Sequence, residues 1–141
     1  MPPVTIGYFD KSGNAVIKIV IRGAYQAFSR EFEAIIDTGF TGFISLPLTA
    51  AFPLALILFG TTSVTLADNS TAYKLTAFGF AALEGEEAGG IIILEPNGAE
   101  VLVGMDFLRK LKRAFLLSER RVLLIPEEEI PHPPESPSTQ N

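Results

Sequence analysis

Residues 33–47 read Glu-Ala-Ile-Ile-Asp-Thr-Gly-Phe-Thr-Gly-Phe-Ile-Ser-Leu-Pro, and this stretch decides how the rest of the chain is interpreted. Three apolar residues lead directly into Asp37, a Thr-Gly pair follows it, and a second apolar run begins after Gly42. A buried carboxylate is costly unless it is paired or hydrogen-bonded. A carboxylate placed where a buried strand gives way to a glycine turn is therefore expected to have partners or a chemical role.

Composition excludes several kinds of site. The chain has 141 residues, of which 48% are hydrophobic, and this is enough to build the core of one domain. It contains no cysteine, which excludes disulfides and Cys-ligated zinc or iron–sulfur sites. Its single histidine, His132, argues against a Ser-His-Asp triad or a multi-His metal site. We therefore predict no metal and no cofactor.

The charge and the apolar runs bear on partners and location. The net charge of −5 argues against a nucleic-acid partner, because nucleic-acid binding normally requires a basic face on the protein. Met1–Val4 lack the basic and apolar regions of a secretory signal. The longest apolar stretch, Ala50–Phe59, contains Pro53 and is shorter than the roughly 20 residues that span a bilayer. We expect a cytoplasmic protein without a membrane partner.

Short β-branched and alternating segments dominate the chain. They predict strands at Val4–Tyr8, Ala15–Ile21, Glu31–Ile36, Phe43–Leu46, Thr61–Ala67, Tyr73–Ala82, Ile91–Leu94, Glu100–Val103, Arg113–Leu117 and Arg121–Ile125. Helices are predicted within Leu48–Phe59, with Thr49 as a possible N-cap, a start near Pro53 and Gly60 as the stop, and at Met105–Leu111. The acidic, glycine-containing segment Leu83–Gly90 predicts a loop. Many short strands with at most two helices favour a mostly antiparallel barrel or sandwich.

Three separated segments, which are Asp37–Gly39, the hairpin with its tip at Asp68–Thr71, and Val101–Leu108, together resemble one family, the retropepsin-like aspartic proteases. Asp37-Thr38-Gly39 resembles the family's Asp-Thr/Ser-Gly motif, and the hairpin with its tip at Asp68–Thr71 stands where the family has its flap. Val101–Leu108 is similar to the apolar-apolar-Gly segment that precedes a short helix. The resemblance extends from about Val16 to Ile125, and it is strongest to the small single-domain prokaryotic members.

The chain also departs from the pattern of this family. Viral members carry a small residue and then Asp or Asn after the motif, where this chain has Phe40-Thr41. The glycine expected at the flap tip is replaced by Asn69-Ser70. These departures affect flap mobility and substrate preference rather than the fold.

The resemblance implies a small closed β barrel of the retropepsin-like type, with one or two short helices, over residues 1–126. Residues 127–141, rich in proline and glutamate, are expected to form a disordered tail. The implied activity is that of an aspartic endopeptidase acting on peptides. The implied roles are catalysis by Asp37, support of the active site by Thr38 and Gly39, substrate contact by the flap residues Asp68, Asn69, Ser70 and Thr71, and a structural role for Gly104.

Aspartic proteolysis needs two carboxyl groups, and this chain contains one Asp-Thr-Gly. Asp10, Asp68 and Asp106 lack the setting of an apolar strand followed by Thr/Ser-Gly. The resemblance therefore implies a homodimer with two-fold symmetry, in which each subunit supplies one Asp37.

Other interpretations of the same residues remain open. Asp37 can be a structural aspartate that caps its own turn, as in many Asp-x-Gly turns. Asp37–Thr41 also fits the Asp-x-Gly-x-Thr phosphate loop of actin-like ATPases, although those proteins have a much longer two-domain chain. The third alternative is a non-catalytic dimeric peptide-binding module of the same fold.

Overall fold

The computed structural model describes residues 3–25 and 28–131 and consists mostly of β-strands. The strands are β1 (Thr5–Ile6), β2 (Tyr8–Phe9), β3 (Ala15–Arg22), β4 (Ser29–Ile36), β5 (Ile44–Pro47), β6 (Ile57–Thr65), β7 (Thr71–Leu83), β8 (Glu86–Glu95), β9 (Val101–Val103), β10 (Arg113–Leu117) and β11 (Val122–Pro126). The helices are α1 (Leu48–Ala51), α2 (Met105–Lys110) and two 3₁₀ turns at Phe52–Leu54 and Glu127–Glu129.

The strands form two sheets. The smaller sheet has the order β1-β11-β10, and the larger has the order β2-β3-β4-β9-β5-β8-β7-β6. An additional pairing of β3 with β7 joins the two halves of the larger sheet, so that pairings run from β3 through β4, β9, β5, β8 and β7 back to β3. The β4–β9 and β5–β8 pairs are parallel, and the other pairs are antiparallel.

The core lies inside this curved sheet. On β3, Ile17, Ile19 and Ile21 are buried, whereas the intervening Lys18 and Val20 are exposed, as the two-residue period of a strand requires. The largest fully buried side chains, Phe43 and Phe107, pack with ring centroids 5.6 Å apart. This contact joins the segment after Asp37 to helix α2.

The predicted helix within Leu48–Phe59 is wrong over most of its length. Helix α1 ends at Ala51, the 3₁₀ turn follows, and Ala55 adopts the left-handed conformation with φ of 50°. The chain then enters β6, where Ile57 pairs with Phe78 of β7. A run that is apolar on every side suits a helix or a strand equally, and the pairing with β7 decides for the strand.

The local signals proposed for that helix have other roles. Pro47, rather than Thr49, occupies the N-cap position, and no side chain caps the helix. Gly60 does not end a helix but lies within β6, next to a register shift between Leu58 and Gly60. Its φ of 155° is one that L-residues rarely adopt, so glycine suits this irregularity.

The predicted loop at Leu83–Gly90 is also wrong. Strand β7 continues to Leu83 and β8 begins at Glu86, so the connection is only the pair Glu84-Gly85, both with positive φ. Two such residues form the turn that matches the twist of a hairpin. Gly90 lies inside β8, and the ring of Phe43 packs directly on its backbone. An added Cβ would lie 2.6 Å from that ring, which explains why this strand position is a glycine.

The C-terminal part of the chain is described up to Pro131. The first residues of the predicted tail, Glu127–Glu129, form a 3₁₀ turn whose first amide donates a hydrogen bond to the carbonyl of Lys112. His132 and the rest of the predicted tail lie outside the described residues. Within the described ranges, no helix is both long and apolar enough to cross a membrane.

Candidate active site

Asp37 stands one residue beyond the end of β4. Strand β4 runs parallel to β9, and the amide of Asp37 extends this ladder by donating to the carbonyl of Val103 at 2.9 Å. Ala34 and Ile36, which precede it, are buried and anchor the strand in the core. The carboxyl of Asp37 is thus delivered to the edge of the core by a rigid element.

A tight turn orients this carboxyl. The amide of Gly39 donates to Oδ1 of Asp37 at 2.9 Å, and the amide of Phe40 donates to the Asp37 carbonyl at 3.1 Å. Asp37 is half-buried, and Thr38 and Gly39 are exposed. These bonds are expected whether Asp37 only caps its own turn or is catalytic. Because the turn is open to solvent, a reactant can reach the Asp37 carboxyl.

Gly104 holds the segment after the turn against the start of α2. The amides of Met105 and Asp106 donate to the carbonyls of Phe40 and Gly42 at 2.8 and 3.1 Å. A Cβ on Gly104 would lie 2.1 Å from the Gly42 carbonyl oxygen and 2.8 Å from that of Phe40. Only glycine permits this close approach, so the backbone around Asp37 depends on position 104.

The predicted flap is the hairpin of β6 and β7, and its tip is a polar turn. The Ser70 hydroxyl and amide both donate to Oδ1 of Asp68, and these bonds hold the pKa of Asp68 below its usual range. Asn69 adopts the left-handed conformation with φ of 66°, which asparagine tolerates. The tip residues Asp68–Thr71 are exposed, and these bonds close the tip within the hairpin itself.

A cavity of about 190 Å³ lies beside the Asp37 loop and was not predicted from the sequence. Its lining comes from four places: the loop after Asp37, the hairpin strands, β8 and α2. The lining residues are Gly42, Phe43, Thr62, Thr76, Ile91, Ile93, Asp106 and Lys110. The alternation on β7 and β8 could have indicated which side chains share a face, but not that these segments meet.

The predicted site residues therefore fall into two places. Asp37, Thr38 and Gly39 lie together and are joined to Gly104 through the loop, whereas Asp68–Thr71 form a separate turn at the hairpin tip. Within residues 3–25 and 28–131, no group of three or more His, Cys, Asp or Glu side chains is placed to hold a metal ion.

Comparison with known proteins supports the fold. The structure is similar to the crystal structure of a retropepsin-like aspartic protease from Rickettsia conorii, with a TM-score of 0.62 and 17% sequence identity. The similarity covers 86% of this chain and 90% of the other. No protein-family model matches the sequence, and no curated protein matches it either. At this identity the similarity shows the fold alone, and it confirms the prediction of a mostly β, retropepsin-like fold.

Proposed function

We propose that this chain is an aspartic endopeptidase that acts as a homodimer. The observation that carries the proposal is the Asp37 carboxyl, which is held by the Gly39 amide at 2.9 Å at the end of a buried strand and is only half-buried. The similarity of the fold to a retropepsin-like aspartic protease supports peptide hydrolysis as the activity.

The chemistry requires two carboxyl groups that share one proton. Like charges held close together cannot both ionise easily, so one group stays protonated while the other is ionised. The ionised carboxylate takes a proton from a water molecule, whose oxygen bonds to the peptide carbonyl carbon, and the protonated carboxyl donates its proton to the carbonyl oxygen. The second carboxyl, now ionised, then takes a proton from one hydroxyl of this intermediate, the C–N bond breaks, and the first carboxyl gives its proton to the leaving nitrogen. Because this chain has one Asp-Thr-Gly, the second carboxyl is Asp37 of another copy.

The neighbouring residues have supporting roles in this proposal. Thr38 is exposed, so it is available to contact the partner chain beneath the carboxyl pair. Gly39 fixes the carboxyl through its amide, and Gly104 sets the path of the following loop. The hairpin tip, Asp68–Thr71, covers the peptide, and no metal or cofactor takes part.

Digestion of a peptide library tests the proposal. The wild-type protein is compared with Asp37→Asn, each with and without a statine-type inhibitor such as pepstatin. We expect cleavage by the wild type, at least a thousandfold less by Asp37→Asn (on the order of the loss seen when a catalytic group is removed), and inhibition by pepstatin. Cleavage that is unchanged in Asp37→Asn would remove the basis of the proposal.

The same fold can also serve as a non-catalytic dimeric peptide-binding module. One observation favours this alternative: the hairpin tip lacks glycine and is closed by bonds between Asp68 and Ser70. A wild-type protein that binds peptides with micromolar affinity but cleaves none of them would establish the module instead.

A further inference from the structure

We propose that Phe40 is a positioning residue for the Asp37 carboxyl, because its ring fixes the path of the loop that follows this carboxyl. The inference rests on the proposed function only for the reaction that Asp37 performs. The contacts that carry it are those of the Phe40 ring with the backbone at Gly42 and Gly104.

The ring of Phe40 lies between two glycines. A Cβ on Gly42 would lie 2.6 Å from Cε1 and 2.7 Å from Cζ of this ring, and a Cβ on Gly104 would lie 2.7 Å from its Cδ2. Real Cβ atoms do not approach other atoms this closely, so the ring occupies the space that side chains at positions 42 and 104 would need. The ring and the two glycines therefore form one packed unit.

The backbone of Phe40 joins this packed unit to the Asp37 turn. Its amide donates to the carbonyl of Asp37 at 3.1 Å, and its own carbonyl accepts a bond from the amide of Met105 at 2.8 Å. The preceding residue, Gly39, donates its amide to Oδ1 of Asp37 at 2.9 Å. A displacement of the Phe40 backbone is therefore transmitted directly to the bond that orients the carboxyl.

Shortening the ring should loosen this arrangement. Phe40→Leu removes Cε1, Cε2 and Cζ and leaves a gap beside Gly42, and surrounding atoms close such a gap only in part and by moving. The segment that can move is the loop itself, because Phe40 is only half-buried and Thr38 and Gly39 are exposed. We therefore expect the Asp37 carboxyl to lose its fixed orientation in this variant.

Gly42→Ala provides a test whose sign depends on residue 40. In the wild type the new methyl group collides with Cε1 and Cζ of the ring, so the variant should displace the loop. In Phe40→Leu these two atoms are absent, and the Cδ1 position, which leucine also has, lies 3.6 Å away, an ordinary contact. The methyl group should then fill the gap, so that Gly42→Ala is harmful alone but restorative together with Phe40→Leu.

NMR of the Gly39 amide measures the position of the carboxyl without depending on catalysis. The chemical shift of an amide proton that is bonded to a carboxylate changes when the carboxyl is titrated. We expect this change in the wild type, its loss in Phe40→Leu and in Gly42→Ala, and its return in the double variant.

The kinetics should follow the same pattern. In each single variant kcat should fall about tenfold, less than the hundredfold that a misplacement of roughly 1 Å can cause. KM should stay within about twofold, because the packed unit orients the carboxyl rather than binding the peptide. The double variant should recover most of the lost kcat.

Two variants are matched controls. Phe80→Leu shortens another half-buried ring that packs on a glycine, since a Cβ on Gly89 would lie 3.0 Å from Cε1 of Phe80. It should lower the midpoint of urea denaturation but leave the Gly39 titration and kcat unchanged. Gly104→Ala should not be rescued by Phe40→Leu, because its Cβ also meets backbone carbonyl oxygens that the substitution leaves in place.

The outcomes separate the two proposals. If peptides are cleaved but Phe40→Leu keeps both kcat and the Gly39 titration, Phe40 only packs and this inference fails while the protease proposal stands. If the wild type cleaves nothing but the Gly39 titration is lost in the single variants and returns in the double variant, the protease proposal fails and the positioning of Asp37 by Phe40 stands. If Gly42→Ala is equally harmful with and without Phe40→Leu, or the wild-type Gly39 amide does not respond to titration, the inference is overturned in either case.

Discussion

At the scale of single residues, Thr5 has an unusual environment. It is 4% exposed on β1, and its hydroxyl oxygen is buried without a hydrogen-bond partner among the described residues. Replacing such a group by an apolar one of the same shape removes the desolvation penalty. We expect Thr5→Val to leave the free energy of unfolding unchanged or to raise it by about 1 kcal/mol, as measured by urea denaturation.

A control distinguishes this effect from a general preference for valine in strands. Thr65 lies on β6 and is exposed, so Thr65→Val should change the free energy of unfolding by no more than a few tenths of a kcal/mol. A loss of stability in Thr5→Val alone would show that the hydroxyl is satisfied by a water molecule.

Gly104 allows a prediction that links packing to activity. In Gly104→Ala the new Cβ must push away the carbonyls of Gly42 and Phe40, and overpacking of this kind costs about 1–3 kcal/mol. Because those carbonyls accept the bonds that fix the Asp37 loop, we expect a loss of kcat/KM of at least tenfold beyond any loss of folded protein. Peptide cleavage per folded molecule is the measurement.

Gly85→Ala is the control for Gly104→Ala. Gly85, in the β7–β8 turn, has φ of 82° and no atom within 4 Å of an added Cβ, so alanine there introduces backbone strain of about 1–2 kcal/mol without displacing the carbonyls of Phe40 and Gly42. The two variants should lose comparable stability, but Gly85→Ala should keep the wild-type kcat/KM. Equal activities in both would refute the link between Gly104 and the site.

At the scale of elements, a buried arginine ties the β7–β8 hairpin to β10. The side chain of Arg113 is 1% exposed and pairs with Glu86 at 2.7 Å. Removing the carboxylate leaves a buried guanidinium unpaired, so we expect Glu86→Ala to lower the free energy of unfolding by about 2–4 kcal/mol. The adjacent Glu87→Ala is the matched control, because Glu87 pairs with Arg22 nearer the surface and its removal should cost less.

The Glu87 pair also predicts a dependence on pH. Hydrogen bonds from Arg22 hold the pKa of Glu87 below its ordinary value of 4.5. A carboxyl with a lowered pKa in the folded state stabilises the fold above its unfolded pKa, and this contribution is lost as the pH falls through the folded pKa. The stability difference between wild type and Glu87→Gln should be constant above about pH 5 and disappear at lower pH.

Urea denaturation at a series of pH values provides the measurement. A difference that stays the same as the pH falls through the pKa of the folded state would mean that Glu87 acts through packing rather than through its charge.

The elements that sequence could predict are those whose signal is local. On β3 the alternation of buried and exposed residues lies within one segment, and the Asp37 turn is marked by adjacent residues. The apolar run Leu54–Phe59 has no periodicity that distinguishes a helix from a strand. Only the pairing of its second half with β7 shows that this part forms a strand. The local sequence around Gly90 predicts a loop, because the residue whose ring requires a glycine there, Phe43, is distant in sequence. The cavity was inaccessible to sequence reasoning for the same reason.

At the scale of the whole molecule, the ring of strand pairings brings the site together. The parallel pairing of β4 with β9 places Asp37 beside Val103, and Gly104 follows directly. Strand β5, which follows the Asp37 loop, pairs antiparallel with β9 and places Ile44 beside the same Val103. One subunit therefore builds one half of the proposed site, and the proposed mechanism requires a second copy for the other half.

This requirement predicts how mixtures of subunits behave. If each active site needs two Asp37 carboxyls, a dimer of one wild-type and one Asp37→Asn chain is inactive. After subunit exchange with a ninefold excess of Asp37→Asn, random pairing should reduce the activity of a fixed amount of wild type to about one tenth. Glu84→Gln is the control, because Glu84 is exposed in the β7–β8 turn and its chains keep Asp37, so the same excess should raise the activity about tenfold, in proportion to the total number of chains. Activity that is unaffected by the Asp37→Asn excess, in a mixture where mass spectrometry detects heterodimers, would mean that one carboxyl suffices and that the site lies within a single chain.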